Sequence, residues 1–139
     1  MDNFIITRQG DYWIKSDNKG YFRYSPGTGR LKHYPQINFY KGNGDKQPML
    51  EDSRGYIWIP GLGGMFRLLN TATESIDSFS INTQTSRPMS PQAVITAIYE
   101  DKQGIFWLGT LEGFVRCTPG KSGQLPTEVT WFHNKSDTR

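Results

Sequence analysis

The sequence predicts an all-β fold, a partial β-propeller of about three four-stranded antiparallel blades. One observation is a motif that occurs three times. Another is that short apolar runs alternate with turn residues, and no segment indicates a long helix. The third is the spacing of the motif. Its tryptophans, Trp13, Trp58 and Trp107, are separated by 45 and 49 residues, close to the period of about 40–50 residues that four-stranded blades have.

The motif has a glycine three residues before the tryptophan and an arginine nine or ten residues after it. The glycines are Gly10, Gly55 and Gly104, and the arginines are Arg23, Arg67 and Arg116. Copies two and three also have an acidic pair, Glu51-Asp52 and Glu100-Asp101, where copy one has Ile6-Thr7. An aromatic residue closes each copy, at Tyr34, Phe79 and Phe132. Copy one is therefore the divergent repeat.

The apolar runs Ile57-Trp58-Ile59 and Phe106-Trp107-Leu108 are typical of strands that are buried on both faces. Gly55 and Gly104 follow turn-forming residues and predict tight turns with positive φ, and Gly64 and Gly113 predict the next turns. We predict blades at about 4–34, 47–80 and 93–133. The expected strands are 4–7, 12–15, 21–24, 31–34, 47–50, 57–59, 65–68, 75–79, 93–99, 105–109, 114–117 and 128–133.

Composition limits the classes of partner. The chain has 139 residues, a net charge of +3 and 21% charged residues, and its Lys and Arg residues are scattered. This pattern predicts no nucleic acid partner. The single cysteine, Cys117, cannot form an internal disulfide. No signal peptide is visible, and no run of about 18 apolar residues predicts a membrane segment in this chain.

The segments 50–59 (LEDSRGYIWI) and 98–110 (IYEDKQGIFWLGT) resemble the two-component regulator propeller repeat, as does 22–29 (FRYSPGTG). The resemblance extends from about Phe4 to His133. Copy one departs from it by lacking the acidic pair, and Pro60 stands where copy three has Gly109.

The resemblance implies a context. Such repeats form the extracytoplasmic sensor region of hybrid histidine kinases of Bacteroidetes, which respond to glycans. This implies a periplasmic location within an inner-membrane sensor protein, which we call the parent. It also implies that the parent binds an oligosaccharide ligand. The kinase would lie elsewhere in the parent, so this segment is expected not to be an enzyme and to need no cofactor. Three copies are fewer than the 4–8 blades of a closed propeller, so we expect a fragment of a larger sensor domain or a truncated gene product.

Candidate site residues have structural interpretations that we favour. The two histidines, His33 and His133, fall on predicted outer strands, which argues against a metal or catalytic role. The acidic pairs recur at one repeat position, so we expect a role in turns rather than in acid/base catalysis. The repeat arginines are expected to pair with the repeat's own carboxylates, the alternative being contact with a ligand carboxylate or sulfate. Cys117 is expected in the core and Trp131 in an outer strand. The stretch 61–64 lacks the features of a phosphate loop. No catalytic or metal residue is predicted, and no ligand-binding residue can be named.

The loops joining consecutive blades, Gln36–Lys46 and Asn82–Gln92, are the predicted ligand surface. Two other functions remain open. One is a propeller enzyme of the streptogramin-lyase kind, which would need His33 or His133, and the other is a ligand-free interaction scaffold. We also expect self-association, because a three-blade arc leaves the faces of its terminal blades and its strand edges uncovered.

Overall fold

The computed structural model of the chain describes residues 4–16, 20–34, 48–61, 63–81, 89–90, 93–118 and 128–133. Twelve strands form three separate four-stranded antiparallel sheets, with no helix longer than a single turn among the described residues. The strands are β1 Phe4–Ile6, β2 Tyr12–Ser16, β3 Gly20–Ser25, β4 Arg30–Tyr34, β5 Leu50–Glu51, β6 Tyr56–Pro60, β7 Met65–Asn70, β8 Ile76–Ser80, β9 Ile95–Glu100, β10 Phe106–Thr110, β11 Gly113–Thr118 and β12 Glu128–His133.

The strands of each sheet lie side by side in chain order. We call β1–β4 blade 1, β5–β8 blade 2 and β9–β12 blade 3. This arrangement confirms the predicted all-β fold of three four-stranded antiparallel blades, and every predicted strand overlaps an observed one. The largest difference in boundary is at β5, which begins at Leu50 rather than at residue 47. Pro48 has no amide hydrogen to donate to a ladder, which explains the late start.

Aspartates of the acidic pairs organise the turns that precede the tryptophan strands. The Asp52 Oδ1 atom accepts hydrogen bonds from the backbone amides of Arg54 and Tyr56, at 2.8 and 3.0 Å. Its Oδ2 atom accepts a 3.0 Å hydrogen bond from the indole Nε1 of Trp58. One carboxylate therefore closes the turn and fixes the orientation of the tryptophan. The turn role predicted for the acidic pair matches the geometry of Asp52.

Blade 3 repeats this aspartate turn. Asp101 accepts from the amides of Gln103 and Ile105, both at 2.9 Å, and from Trp107 Nε1 at 3.0 Å. The hydrogen bond from Trp107, followed by that from the Ile105 amide, lowers the pKa of the Asp101 carboxyl. The turn glycines have the predicted positive φ, 90° at Gly55 and 82° at Gly104, a conformation that strains a residue with a side chain.

Blade 1 has the same turn without the carboxylate. Thr7 replaces the aspartate, and its Oγ1 accepts only from the Asp11 amide, at 3.2 Å. The indole Nε1 of Trp13 is buried and has no hydrogen-bond partner. An unpaired buried donor keeps its desolvation cost, about 1–3 kcal/mol. The replacement of aspartate by threonine in copy one therefore leaves the Trp13 indole of blade 1 without a hydrogen-bond acceptor.

The blades are held together by the faces that carry the tryptophans. Trp13 packs in one apolar cluster with Ile57, Ile59 and Leu69 of blade 2. Trp58 in turn lies against Phe106 of blade 3, with ring centroids 4.2 Å apart. Trp13 and Trp58 have no exposed surface. The prediction of strands buried on both faces is confirmed for Ile57-Trp58-Ile59, whereas Trp107 is only half-buried because no described sheet covers its face.

The glutamates of the acidic pairs link neighbouring blades. Glu51 of blade 2 accepts a 2.9 Å hydrogen bond from the Arg8 amide of blade 1. Glu100 of blade 3 accepts from the amide of Ser53 in blade 2, at 2.8 Å, and from its hydroxyl. Arg8 and Ser53 both stand five residues before their tryptophan. Each acidic pair thus has two roles, because the aspartate acts within its own blade and the glutamate binds the preceding one.

A second polar link joins blades 1 and 2 at the β7–β8 turn. Glu74 in this turn forms an ion pair with Arg23 of β3, at 3.2 Å, and another with Lys32 of β4. The hydrogen bond from Lys32 lowers the pKa of Glu74. Glu74 has φ of 63°, the only positive value among the described non-glycine residues. The contacts with blade 1 therefore hold a backbone conformation that costs about 1 kcal/mol or more.

Thr7→Asp is expected to raise the free energy of unfolding by about 1 kcal/mol, because a carboxylate at position 7 can accept the unpaired Trp13 indole proton. Denaturant titration measures the change. Thr7→Asn is the matched control, since its amide oxygen can serve the turn while its NH2 group faces the indole donor. A Thr7→Asp variant no more stable than Thr7→Asn would contradict the assignment.

Glu74→Gln and Glu74→Gly separate the strain of the β7–β8 turn from its ion pairs. Both variants lose the ion pairs with blade 1, but only the glycine variant also loses the left-handed strain of about 1 kcal/mol. We expect the glutamine variant to be the less stable of the two in thermal denaturation, and less stable than the wild type. Equal stability of the glutamine variant and the wild type would mean that the ion pairs contribute nothing.

Candidate functional site

A cleft of about 380 Å³ lies at the turn ends of blade 1, beside the β7–β8 turn of blade 2. The β1–β2 and β3–β4 turns of blade 1 form its walls, and the strand β4 contributes alternate side chains. The lining residues are Gln9, Gly10, Asp11, Arg23, Ser25, Pro26, Gly27, Thr28, Arg30, Lys32 and Glu74. Three cations and two carboxylates therefore converge with hydroxyl and amide groups on one cavity.

Arg23 is the central residue of the cleft. Its guanidinium donates to Asp11 Oδ2 from Nε at 2.8 Å and from Nη2 at 2.5 Å. It also lies 5.4 Å from the centre of the Trp13 ring. Arg23 pairs with Trp13 across β2 and β3, which places its side chain on the same face of the sheet. Asp11 and Glu74 thus compensate the charge of Arg23 and hold it in place.

Arg30 and Lys32 form the solvent-exposed side of the cleft. Their side chains lie on one face of β4, two residues apart. Lys32 is paired with Glu74. The Arg30 amide donates to Thr28 Oγ1 at 3.3 Å, but its guanidinium forms no ion pair with a described residue. A strong hydrogen-bond donor with a fork geometry therefore remains available for a carboxylate or sulfate group.

The repeat arginines occupy two different registers. Arg23 lies opposite Trp13 and Arg116 opposite Trp107, but Arg67 lies opposite Ile59. The β6–β7 hairpin is one residue longer than the β10–β11 hairpin, so an arginine nine residues after the tryptophan lies opposite the tryptophan in blade 3 but on the other face of the strand in blade 2. Arg23 forms the expected pair with carboxylates, through Asp11 and Glu74. Arg116 is exposed and has no carboxylate partner among the described residues.

Other predicted candidates lie away from the cleft. His33 is on β4 and His133 on β12, which are edge strands of their sheets as expected. The His33 ring stacks on Phe22, with centroids 4.4 Å apart. Cys117 is fully buried in the core, as predicted, and burial raises its pKa to about 12. Trp131 on β12 packs against the core shared by blades 2 and 3.

The predicted ligand loops, Gln36–Lys46 and Asn82–Gln92, lie outside the described residues except for Met89 and Ser90. Sequence reasoning did not predict the cleft, because its key residues belong to single copies of the repeat. Asp11 replaces Tyr56 and Ile105 of the sister copies, and Glu74 occurs in one turn only. The sequence did contain one indication of the cleft: Asp11 is charged, whereas the equivalent residues of the other copies are apolar or aromatic.

The cleft combines charged, hydroxyl and amide groups. It contains no histidine or cysteine, and its carboxylates are engaged by cations. No group of three or more His, Cys, Asp or Glu side chains in the described ranges could hold a metal ion. The described residues also include no helix of the length and apolarity that crossing a bilayer requires.

Solved structures of similar fold include two extracellular domains. The chain superposes with a TM-score of 0.70 and 17% identity on the extracellular domain of a putative one-component system from B. thetaiotaomicron, covering 94% of this chain and 16% of that one. A putative hybrid two-component system from the same organism has an extracellular domain that matches with a TM-score of 0.56, 17% identity and coverage of 90% and 16%. This chain therefore spans about one sixth of the length of both neighbours.

Sequence comparisons address the family. Curated protein sequences gave no significant match. The family model described as the two component regulator propeller matches residues 89–112, which comprise β9, β10 and the aspartate turn of blade 3. The resemblance predicted from the acidic pair, glycine and tryptophan of copy three is confirmed: residues 89–112 match the two component regulator propeller, within a sheet architecture like that of the two extracellular domains.

Proposed function

We propose that this chain is part of the extracytoplasmic ligand-sensing propeller of a two-component regulatory system, and that the intact sensor responds to glycans. The observation that carries the proposal is the regulator propeller repeat at residues 89–112, set in three consecutive blades of one design. Both structural neighbours are extracellular domains of putative regulatory systems, which supports an extracytoplasmic, periplasmic setting. Histidine kinase activity would reside elsewhere in the longer protein.

The cleft of blade 1 supports a ligand of a particular class. Hydroxyl and amide groups of Gln9, Ser25 and Thr28 suit the hydroxyls of a sugar, and Arg30 offers a free guanidinium. A glycan that carries a carboxylate or sulfate would satisfy both kinds of group. We propose an acidic oligosaccharide as the ligand of this cleft, with the loops Gln36–Lys46 and Asn82–Gln92 as a further predicted surface.

The two alternatives are less well supported. A streptogramin-lyase-like enzyme needs a histidine with nearby acidic residues, but His33 is exposed on an edge strand and stacks on Phe22. Loss of an activity in His33→Ala or His133→Ala would favour the enzyme. A ligand-free scaffold would bind no glycan at all, and the cleft with its unpaired Arg30 argues against it.

Calorimetric titration with a panel of neutral, uronate-containing and sulfated oligosaccharides tests the proposal, using both this chain and the full ectodomain of its parent. We expect binding of an acidic member and a loss of affinity of at least about tenfold in Arg30→Ala, the size of one charge-assisted contact. Arg116→Ala is the matched control, because it removes an exposed arginine outside the cleft. If the folded ectodomain bound no oligosaccharide of the panel, glycan sensing would be refuted. If the two substitutions lowered the affinity equally, the assignment of the cleft as the binding site would be refuted.

A further inference from the structure

Glu74 stands at a turn position where the equivalent turn of blade 1 has a glycine. The Glu74 amide donates to the Asn70 carbonyl and the Gly29 amide to the Ser25 carbonyl, both at 2.7 Å. Both residues have a left-handed backbone, with φ of 63° at Glu74 and 72° at Gly29. Glycine adopts this conformation without strain, whereas glutamate does not. The backbone of this turn therefore favours glycine, and the contacts of the glutamate side chain compensate for the strain.

The Glu74 carboxylate occupies the cationic side of the cleft. One of its oxygens binds Lys32 and the other binds Arg23 Nη1, the latter at 3.2 Å. Glu74 comes from blade 2, whereas every other lining residue belongs to blade 1. Its side chain is 31% exposed, so the carboxylate lies at the surface of the cleft. A carboxylate or sulfate group of a ligand carries the same charge and the same kind of acceptor atoms.

The supports of the cleft do not depend on the Glu74 carboxylate. Arg23 is held separately by Asp11, whose Oδ2 accepts hydrogen bonds from both Nε and Nη2 of the guanidinium. The β7–β8 turn is closed by its own backbone, with a 2.9 Å hydrogen bond from the Asn70 amide to the Ser75 carbonyl. Release of the Glu74 side chain would therefore free two cations and leave both Arg23 and the turn supported.

We propose that Glu74 is an internal competitor for the acidic group of the ligand, and that this group displaces the Glu74 carboxylate from Lys32 and Arg23. The proposal rests on the proposed binding of an acidic ligand in this cleft. Arg30 lies two residues from Lys32 on the same face of β4 and supplies a contact that Glu74 does not occupy.

The exchange acts on the junction between two blades. It breaks the ion pairs that Glu74 makes with blade 1, and it removes the contacts that compensate for the left-handed backbone at this residue. The ligand therefore favours an arrangement in which the β7–β8 turn is released from blade 1. A differential affinity for two arrangements is what allows a ligand to shift a conformational equilibrium.

Titration of the isotope-labelled chain with inorganic sulfate, followed by NMR at a constant ionic strength of about 0.15 M, tests the competition. Glu74→Gln and Glu74→Gly should each bind sulfate at least about fivefold more tightly than the wild type, because two ion pairs no longer oppose binding. The glycine variant has the residue of the blade 1 turn, so it also relieves the backbone strain. Asp77→Asn is the matched control, since it removes the same charge from an exposed position outside the cleft. Its sulfate affinity should stay within about twofold of the wild type.

Lys32→Ala in two backgrounds distinguishes displacement of Glu74 from a general effect of charge. In the wild type, sulfate and Glu74 both lose the Lys32 contact, so the sulfate affinity should change by no more than about twofold. In Glu74→Gln, the competing carboxylate is absent and sulfate alone loses the contact. The affinity should then fall at least about fivefold.

Three outcomes would overturn the proposal. One is that the Glu74 variants bind sulfate no more tightly than the wild type, or that none of them binds it. Another is that Asp77→Asn tightens binding as much as Glu74→Gln. The third is an equal effect of Lys32→Ala in both backgrounds, which would place the anion beside an intact Lys32–Glu74 pair. Glycan sensing fails separately: if the Glu74 variants bind sulfate more tightly but the full ectodomain binds no oligosaccharide, the competition stands and the glycan is refuted.

Discussion

The hydrogen bonds that one buried aspartate accepts from an indole and two backbone amides are the interaction on which the arrangement of blades depends. Asp52 has no exposed surface, and its carboxylate fixes the turn before β6 and the Trp58 ring at the same time. A tryptophan held in this way presents a large, rigid apolar face to the next blade. Since Trp58 packs on Phe106, the stacking of blades 2 and 3 relies on a bond made within blade 2.

The polar contacts between blades are few and specific. Glu51 and Glu100 each bind the turn of the preceding blade, and Glu74 reaches back to Arg23. The Arg23–Glu74 contact also forms one wall of the cleft, so the geometry of the proposed binding site depends on how blades 1 and 2 sit together. A ligand that contacts Arg30 and its neighbours would act on this junction. That connection offers a physical route from binding to a change in blade packing, as sensing requires.

The fold could be predicted because the same motif occurs in three copies. Trp13, Trp58 and Trp107 with their glycines specify the turns and the buried strands, whatever the rest of each copy contains. The cleft was not predictable, because Asp11 and Glu74 occur once each and their meeting with Arg23 depends on how two blades pack. The register of Arg67 was also beyond the sequence pattern. A difference in turn length, invisible to an alignment on Trp and Arg, moves that side chain to the other face of the sheet.

The free energy of unfolding of Asp52→Asn, compared with that of Asp77→Asn, tests most directly whether the aspartate holds the tryptophan face. Both substitutions remove one carboxylate from blade 2, but Asp77 is exposed on β8. Asp52→Asn should destabilise the chain by about 3 kcal/mol, because its amide group faces the Trp58 donor, whereas Asp77→Asn should stay within about 0.5 kcal/mol of the wild type. Equal stability of the two variants in denaturant titration would contradict the account.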